Sequence, residues 1–211
     1  MHIAVVGLGN IGARVATNLT AAAVDVIVSD RDLEKARDLA EKLGPKAVAM
    51  TIDSALKKAD IVILSILFDV MKKFVIEHGA DLAGKIVVDP SNPIAPDGEG
   101  FKKIIPADQS AGKIIADLLP EGARLVKAFG TLSARSLGAA ANRKPEPAVL
   151  FYATDFPEAG KAVAKLIRAS GFAPVSVGGI DQAVRIEAFG DLNESGKLGR
   201  LVSRGEAEAL V

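Results

Sequence analysis

The residues whose spacing most clearly implies chemistry lie near the amino terminus, in the hexapeptide Gly7-Leu8-Gly9-Asn10-Ile11-Gly12. It follows a short apolar run and opens a helical stretch, which is the setting in which this glycine pattern is specific. The first glycine makes a tight turn, the second lets the backbone approach a pyrophosphate, and the third lets the helix lie close to the strand. Free N–H groups at the helix start attract the anion. The loop therefore predicts a site for NAD or NADP.

The residues after the second apolar run bear on which dinucleotide is bound. Asp30 ends that run, and a carboxylate there accepts hydrogen bonds from the ribose 2′-OH of NAD and repels the 2′-phosphate of NADP. Arg31 has the opposite effect, since its guanidinium can pair with that phosphate, and Lys35 lies one helical turn further. Arg31 and Lys35 equally suit a solvated helix start. These residues lean towards NAD and keep NADP open.

Further candidate ligand contacts follow the later strands of the predicted sheet. Ligands of such sheets lie outside the carboxyl ends of the strands. The predicted contacts for the nicotinamide and its partner are Ser65, Ile66, Leu67, Phe68, Ser91, Asn92, Pro93, Thr131 and Leu132. This mixture of apolar, hydroxyl and amide groups suits two stacked rings that exchange a hydride better than it suits proton transfer.

Proton donors and metal ligands are scarce. The chain has no cysteine, and its two histidines, His2 and His78, follow no predicted strand. Asp89 precedes a proline and is interpreted as a turn residue rather than a catalytic acid. Lys127 lies within a strand and could face either side. We therefore predict no catalytic acid or base and no metal site, so that the bound rings carry the chemistry.

Short apolar runs alternate with helical stretches along the chain. This alternation predicts an α/β fold with a doubly wound, mostly parallel sheet and a small α/β extension at the carboxyl end. Two turn-rich stretches, 89–100 and 133–147, are interpreted as loops. The second separates a predicted dinucleotide-binding region, 1–146, from a smaller region, 147–211.

The charge balance argues against two classes of partner. The 26 basic and 26 acidic residues cancel, which gives no support for binding to nucleic acid or to an anionic membrane. The apolar runs are too short to span a bilayer, and the chain begins directly with a strand. We therefore expect a cytoplasmic protein.

Several segments together resemble a known family, the NADPH-dependent coenzyme F420 reductases, with the cytosolic domain of the six-transmembrane ferric reductases as a more distant relative. The resemblance rests on residues 5–12, 29–36, 60–68, 84–94, 125–137 and 172–178. It implies a Rossmann domain, NADP on the glycine loop, a deazaflavin (F420) or flavin stacked on the nicotinamide, and a homodimer. The chain departs from the family pattern at Asp30, where many members have Ser or Thr, and at Gly130, where relatives often have Asn or His.

Two other functions remain open at this point. One is an NAD(P)-dependent dehydrogenase of a small substrate, although relatives of that kind usually add a long helical domain. The other is a non-catalytic sensor that binds NAD(P) and a partner protein. An oxidoreductase that moves a hydride between NAD(P)H and F420 or a flavin is the leading hypothesis.

Overall fold

A computed structural model describes all residues, 1–211, and its amino-terminal part alternates strands and helices. Its elements are β1 (Ile3–Val6), α1 (Asn10–Ala21), β2 (Val26–Ser29), α2 (Leu33–Leu43), β3 (Ala47–Ala49), α3 (Ile52–Lys58), β4 (Ile61–Leu64), α4 (Phe68–Glu77), α5 (Gly79–Leu82) and β5 (Ile86–Asp89).

The remaining elements follow with longer connections. They are β6 (Ile94–Asp97), β7 (Gly100–Lys103), α6 (Ala111–Leu118), β8 (Arg124–Lys127), α7 (Ala134–Ala139), β9 (Val149–Tyr152), α8 (Pro157–Ala169), β10 (Ala173–Ser176), a single 3₁₀ turn (Ile180–Gln182), α9 (Ala183–Ile186) and α10 (Arg204–Glu208). None of the helices has the length and hydropathy that a membrane crossing needs.

Six strands form one parallel sheet in the order β3-β2-β1-β4-β5-β8. The strands are buried on both faces: Ala4 and Val6 of β1 contribute to one core, and Ile3 and Val5 to the other. Strand order reverses between β1 and β4, which places a crevice outside their carboxyl ends. The sheet confirms the doubly wound α/β fold predicted from the sequence.

The carboxyl-terminal region packs directly against the main sheet. Strands β9 and β10 pair in parallel, and Ala153, just after β9, forms an antiparallel bridge with Lys127 of β8. Both cores continue across residue 147, since Val149 belongs to one and Leu150 to the other. The division into 1–146 and 147–211 stays a prediction, and the described packing is continuous across it.

Both stretches interpreted as loops contain regular structure. Within and just beyond 89–100, β6 and β7 form an antiparallel hairpin in which Pro96 is opposite Phe101. Proline is tolerated because the hairpin is an isolated pair, in which a strand edge needs no N–H donor. Within 133–147, Ser133 caps α7 by accepting a hydrogen bond from the Ser136 N–H. Because these stretches are rich in turn-forming residues, the sequence did not reveal the β6–β7 hairpin or the short helix α7.

Candidate functional site

The glycine loop is shaped by two different constraints. Gly7 has a φ of +89°, and a Cβ there would lie 2.4 Å from the carbonyl oxygen of Ser65. A Cβ on Gly12 would lie 2.0 Å from the carbonyl oxygen of Gly7. The fold itself therefore requires both glycines. Gly9 is exposed, and a Cβ there would meet nothing within 4 Å, so the space beside Gly9 is left open for a ligand.

Asp30 is tied to the glycine loop. Its Oδ2 accepts hydrogen bonds from the Leu8 N–H, at 2.8 Å, and from Lys35 Nζ, at 3.2 Å, and its Oδ1 accepts one from the Asp32 N–H. Burial favours the neutral acid, but the two backbone N–H groups and the Lys35 ammonium outweigh it and lower the pKa of Asp30. The carboxylate is thus ionised, partly neutralised and occupied in holding the loop. Arg31 is exposed on the cleft.

A cleft of about 580 Å³ runs from this loop along the carboxyl ends of the strands, and we call it the dinucleotide cleft. It brings together most of the predicted contacts, namely Gly7, Leu8, Gly9, Asn10, Ile11, Asp30, Arg31, Lys35, Ser65, Ile66, Leu67, Ser91 and Asn92. Its ionisable lining residues are Asp30, Arg31 and Lys35, all at the end of β2 or the start of α2.

Five predicted site residues do not line this cleft. They are Gly12, Phe68, Pro93, Thr131 and Leu132. Gly12 lies beneath the loop, and Phe68, which is 2% exposed, points into the core because it opens α4 on the buried side. Thr131 and Leu132 are buried, with 1% and 6% exposure. The rule that ligands lie outside the carboxyl ends of strands predicts where the backbone of such residues lies. It does not predict the direction in which their side chains point.

Six apolar residues line the cleft without having been among the predicted contacts: Val6, Ile52, Val70, Phe74, Pro90 and Ile94. Leu67, the residue before α4, and Val70 and Phe74 within it are spaced so that they lie on one side of the helix. Leu67 is 76% exposed and Val70 is 49% exposed, so both present apolar surface to the cleft. That helical spacing was readable in the sequence, whereas Ile52 and Ile94 are brought to the cleft by the tertiary fold.

Asp89 and Lys127 form a buried ion pair next to Ser91, which lines the end of the cleft away from the glycine loop. Their side chains are 0% and 2% exposed, and Lys127 Nζ lies 2.8 Å from Asp89 Oδ2. Asp89 Oδ1 also accepts a hydrogen bond from the Ser91 N–H, and Lys127 Nζ donates to the Ser91 carbonyl oxygen. Asp89, interpreted from the sequence as a turn residue, is instead the last residue of β5, and Lys127 faces inward. The pair holds the Ser91 loop in place.

Two residues of the carboxyl-terminal segment, Ala188 and Asn193, form hydrogen bonds with the loops that follow β5 and β8. Asn92 donates to the Gly130 carbonyl oxygen at 2.9 Å, and its Oδ1 accepts a hydrogen bond from the Ala188 N–H at 2.7 Å. Asn193 also donates to the Gly130 carbonyl oxygen, at 3.1 Å. We call this set of bonds the Asn92 clamp. A Cβ on Gly130 would lie 2.6 Å from the Pro90 carbonyl oxygen, so the close approach of the two loops explains the glycine here.

Two buried hydroxyl groups near the clamp, on Ser91 and Thr131, have no hydrogen-bond partner. The strand end before Thr131 also carries local strain, because Phe129 has a φ of +64°, a region that bulky side chains rarely adopt. Unsatisfied groups and strained residues concentrate where proteins bind ligands. Of these residues, Ser91 lines the dinucleotide cleft, and Thr131 and Phe129 are buried.

Comparisons with known proteins agree with this geometry. The family model described as "NADP oxidoreductase coenzyme F420-dependent" matches residues 2–93. The solved structure of hypothetical protein SMa0349 from Sinorhizobium meliloti is 30% identical, with a TM-score of 0.84, and the match covers 97% of this chain and 96% of that one.

Two further matches show how widely the fold is shared. A protein of Arthrobacter sp. FB24, provisionally described as an F420-dependent NADP reductase, is 22% identical with a TM-score of 0.74 over 87% of each chain. Metalloreductase STEAP3 of Rattus norvegicus is 29% identical over 190 residues, which are 89% of this chain and 36% of that protein. The chain thus spans little more than a third of this curated relative. Together, the glycine loop, the sheet order and these matches show a dinucleotide-binding type of fold whose amino-terminal part, residues 2–93, matches the family described as "NADP oxidoreductase coenzyme F420-dependent".

Proposed function

We propose that the protein transfers a hydride between NADPH and a deazaflavin or flavin. The observation that carries this proposal is the distribution of charge in the dinucleotide cleft. Its ionisable residues, Asp30, Arg31 and Lys35, lie at the adenosine end, and the opposite end is apolar with uncharged polar groups such as Ser91 and Asn92. Reduction of a carbonyl or imine normally needs a proton donor beside the nicotinamide, whereas transfer between two stacked rings needs orientation.

The preference for NADPH rests on the partners of Asp30. Its carboxylate faces the Leu8 N–H and Lys35, so its charge is partly neutralised and its repulsion of a 2′-phosphate is weakened. Arg31 has no carboxylate partner and is exposed on the cleft, where a guanidinium can bind a phosphate. These two residues favour NADP, while the unused lone pairs of Asp30 still permit NAD.

The chain's own groups act by binding and orienting. The N–H groups at the start of α1 would hold the pyrophosphate, and the open space at Gly9 would admit it. Ile66 and Leu67 exclude water from one side of the cleft, and the Asn92 clamp holds the loops against which the second ring stacks. When bound, the nicotinamide supplies the hydride, so that NADPH, the acceptor and one proton from solvent yield NADP⁺ and the two-electron-reduced acceptor.

The alternatives are weakened by particular residues. A dehydrogenase of a small substrate would need an acid or base beside the nicotinamide. Lys127 cannot serve as this group, because it is buried and paired with Asp89. A non-catalytic sensor would be expected to fill the space beside the nicotinamide, whereas the dinucleotide cleft continues to Ser91 and Ile94.

The test is a steady-state assay of NADPH oxidation with F420, FMN and a ferric chelate as alternative acceptors, repeated with NADH. We expect saturable reduction of F420 or FMN, faster with NADPH. The ferric chelate serves as the comparison for the metalloreductase relative. Inertness towards F420 and FMN, in protein that binds NADPH tightly, would contradict the proposal. We also propose the homodimer that the family resemblance implies, which sedimentation equilibrium would measure.

A further inference from the structure

A carboxyl-terminal segment, residues 186–194, lies against the end of the dinucleotide cleft that is away from the glycine loop. It forms hydrogen bonds with both loops of that end. The Ala188 N–H donates to Asn92 Oδ1 at 2.7 Å, and the Glu194 N–H donates to the Thr131 carbonyl oxygen at 3.0 Å. Asn92 itself lines the cleft. The segment therefore borders the place at which the proposed function puts the hydride acceptor.

Phe189 is an exposed aromatic residue on strained backbone in this segment. It is the third residue of a tight turn in which the Gly190 N–H donates to the Glu187 carbonyl oxygen at 2.8 Å. Its φ is +70°, in the left-handed region that bulky side chains rarely adopt. Its side chain is 46% exposed, and no other large apolar side chain within residues 89–93, 129–132 or 186–194 is exposed. Such strain is retained at sites where it serves binding.

The surroundings of the turn fix the strained conformation from both sides. Glu187, which is 1% exposed, accepts hydrogen bonds from the Ser110 hydroxyl at 2.8 Å and from two N–H groups at the start of α6. On the other side, a Cβ on Gly190 would lie 2.4 Å from the Val184 carbonyl oxygen, so the backbone there is closely packed. The aromatic ring of Phe189 is therefore carried on a rigid support.

The position of Phe189 relative to the cleft indicates which ligand it contacts. Phe189 does not line the dinucleotide cleft, although Asn92, to which its neighbour Ala188 is bonded, does. In the proposed function the dinucleotide fills this cleft, so the ring that receives the hydride has to stack on the nicotinamide from outside, beside the loops of Asn92 and Thr131. An aromatic side chain offers a flexible polar ligand little, but it offers a flat ring system a stacking or edge contact.

We propose that the Phe189 ring contacts the ring system of the deazaflavin or flavin acceptor and is a specificity-determining residue of the reaction. The inference rests on the proposed function, because it concerns the second substrate of the same site. It predicts that removal of the Phe189 ring weakens binding of the acceptor and leaves binding of the dinucleotide unchanged.

The experiment measures the dissociation constants of FMN and of F420 from the change in their own fluorescence, in the presence of NADP⁺. The proteins are the wild type, Phe189→Ala, Phe189→Gly and Phe189→Trp. For the probe that the wild type binds more tightly, we expect the Ala and Gly variants to bind roughly tenfold more weakly, as for loss of one aromatic contact, and the Trp variant to retain the affinity. The dissociation constant of NADP⁺ should be the same in all four proteins.

The matched control is Phe156→Ala. Phe156 is 42% exposed, precedes α8 and does not line the dinucleotide cleft, so its removal should change neither affinity. Thermal melts of Phe189→Gly add a second readout. Because glycine adopts a positive φ without strain, this variant should melt at or above the wild-type temperature although it binds the acceptor weakly. A purely structural role of the side chain would instead lower the melting temperature.

Three results would overturn the inference. Wild-type affinity for the acceptor in Phe189→Ala would show that the ring does not contact it. An equal loss of acceptor and NADP⁺ affinity, or a lowered melting temperature of Phe189→Gly, would show a role in the fold. Dissociation of a dimer by Phe189→Ala in sedimentation equilibrium, with acceptor affinity unchanged, would assign the ring to a contact between subunits.

Failure of this inference can be distinguished from failure of the proposed function. If FMN or F420 is reduced but its affinity does not depend on Phe189, the inference alone fails. If its affinity depends on Phe189 but neither probe is reduced, the proposed function alone fails and the binding site remains. Binding of neither probe to the wild type would contradict both.

Discussion

The two ends of the dinucleotide cleft are built in different ways. At the glycine loop, Asp30 is joined to Leu8 and Lys35 by hydrogen bonds that span 22 and 5 residues of sequence. At the opposite end, which Ser91 and Asn92 line and which we call the acceptor end, the hydrogen bonds of Asn92 to Gly130 and Ala188 span 38 and 96 residues. The first end is made within one βαβ unit, and the second requires the whole chain to be folded. Variants should therefore separate dinucleotide binding from the integrity of the acceptor end.

The largest effect is expected from Lys127→Met, which breaks the buried support of the acceptor end. The Asp89 carboxylate would be left buried without its cation, and loss of one partner of such a pair costs about 3–5 kcal/mol. Urea denaturation measures the loss in the free energy of unfolding. The double variant Asp89→Asn/Lys127→Met should recover part of it, because the uncompensated charge is gone.

The control for this variant is Lys161→Met, which removes a fully solvated lysine paired with Glu158 on α8. Exposed pairs of this kind contribute little, so its unfolding midpoint should stay at the wild-type value. Equal destabilisation by Lys127→Met and Lys161→Met would show that the buried pair is not a support of the acceptor end.

A smaller effect, at the other end of the cleft, is expected from a matched pair of glycine substitutions. In Gly12→Ala, the new methyl group would lie 2.0 Å from the Gly7 carbonyl oxygen, so the helix must move away from the loop. Overpacking of this kind costs about 1–3 kcal/mol, and NADPH binding should be lost with it.

Gly9→Ala distinguishes an effect on ligand binding from an effect on stability. Its methyl group meets no protein atom within 4 Å, so the melting temperature should be unchanged. NADPH affinity should still fall about tenfold or more, since the methyl group occupies the space of the pyrophosphate and weakens its hydrogen bonds. Calorimetric binding and thermal melts of both variants test this. Wild-type NADPH affinity in Gly9→Ala would mean that the dinucleotide does not approach this backbone.

The smallest effect is expected for the choice of dinucleotide. Asp30→Ser removes a negative charge beside the 2′ position, so the preference for NADPH over NADH should rise about fivefold, or about 1 kcal/mol. Dissociation constants for both dinucleotides measure the ratio. An unchanged ratio would show that the charge of Asp30 is fully neutralised by Lys35 and its backbone partners.

The stability of the same variant should depend on pH. Folding lowers the pKa of Asp30 below its usual value of 3.8, so its contribution to stability is complete above that value. The contribution is lost as the pH falls through the lowered pKa, where the carboxylate becomes protonated. The gap in unfolding free energy between wild type and Asp30→Ser should therefore be constant near neutral pH and close below pH 3.8. A gap that persists in acid would assign it to packing rather than to the charge.

The parts of the site that were predicted correctly depend on local rules. The turn at Gly7 and the position of Asp30 after β2 both follow from neighbouring residues. The errors arose where long-range packing decides. Phe68 and Ser65 are close in sequence, yet Phe68 enters the core and Ser65 lines the cleft, because α4 begins at Phe68 and turns its side chain inward.

The amino-acid sequence by itself determined the α/β alternation, the glycine loop after the first strand and the scarcity of proton donors, because each depends on residue type and short-range spacing. Only the tertiary structure decided that Asp30 holds the loop, that Lys127 is buried against Asp89, and that Asn92 is clamped by the carboxyl-terminal segment. The physical reason is that these contacts join residues far apart in the chain, and their partners become neighbours only when the sheet and both its cores have formed.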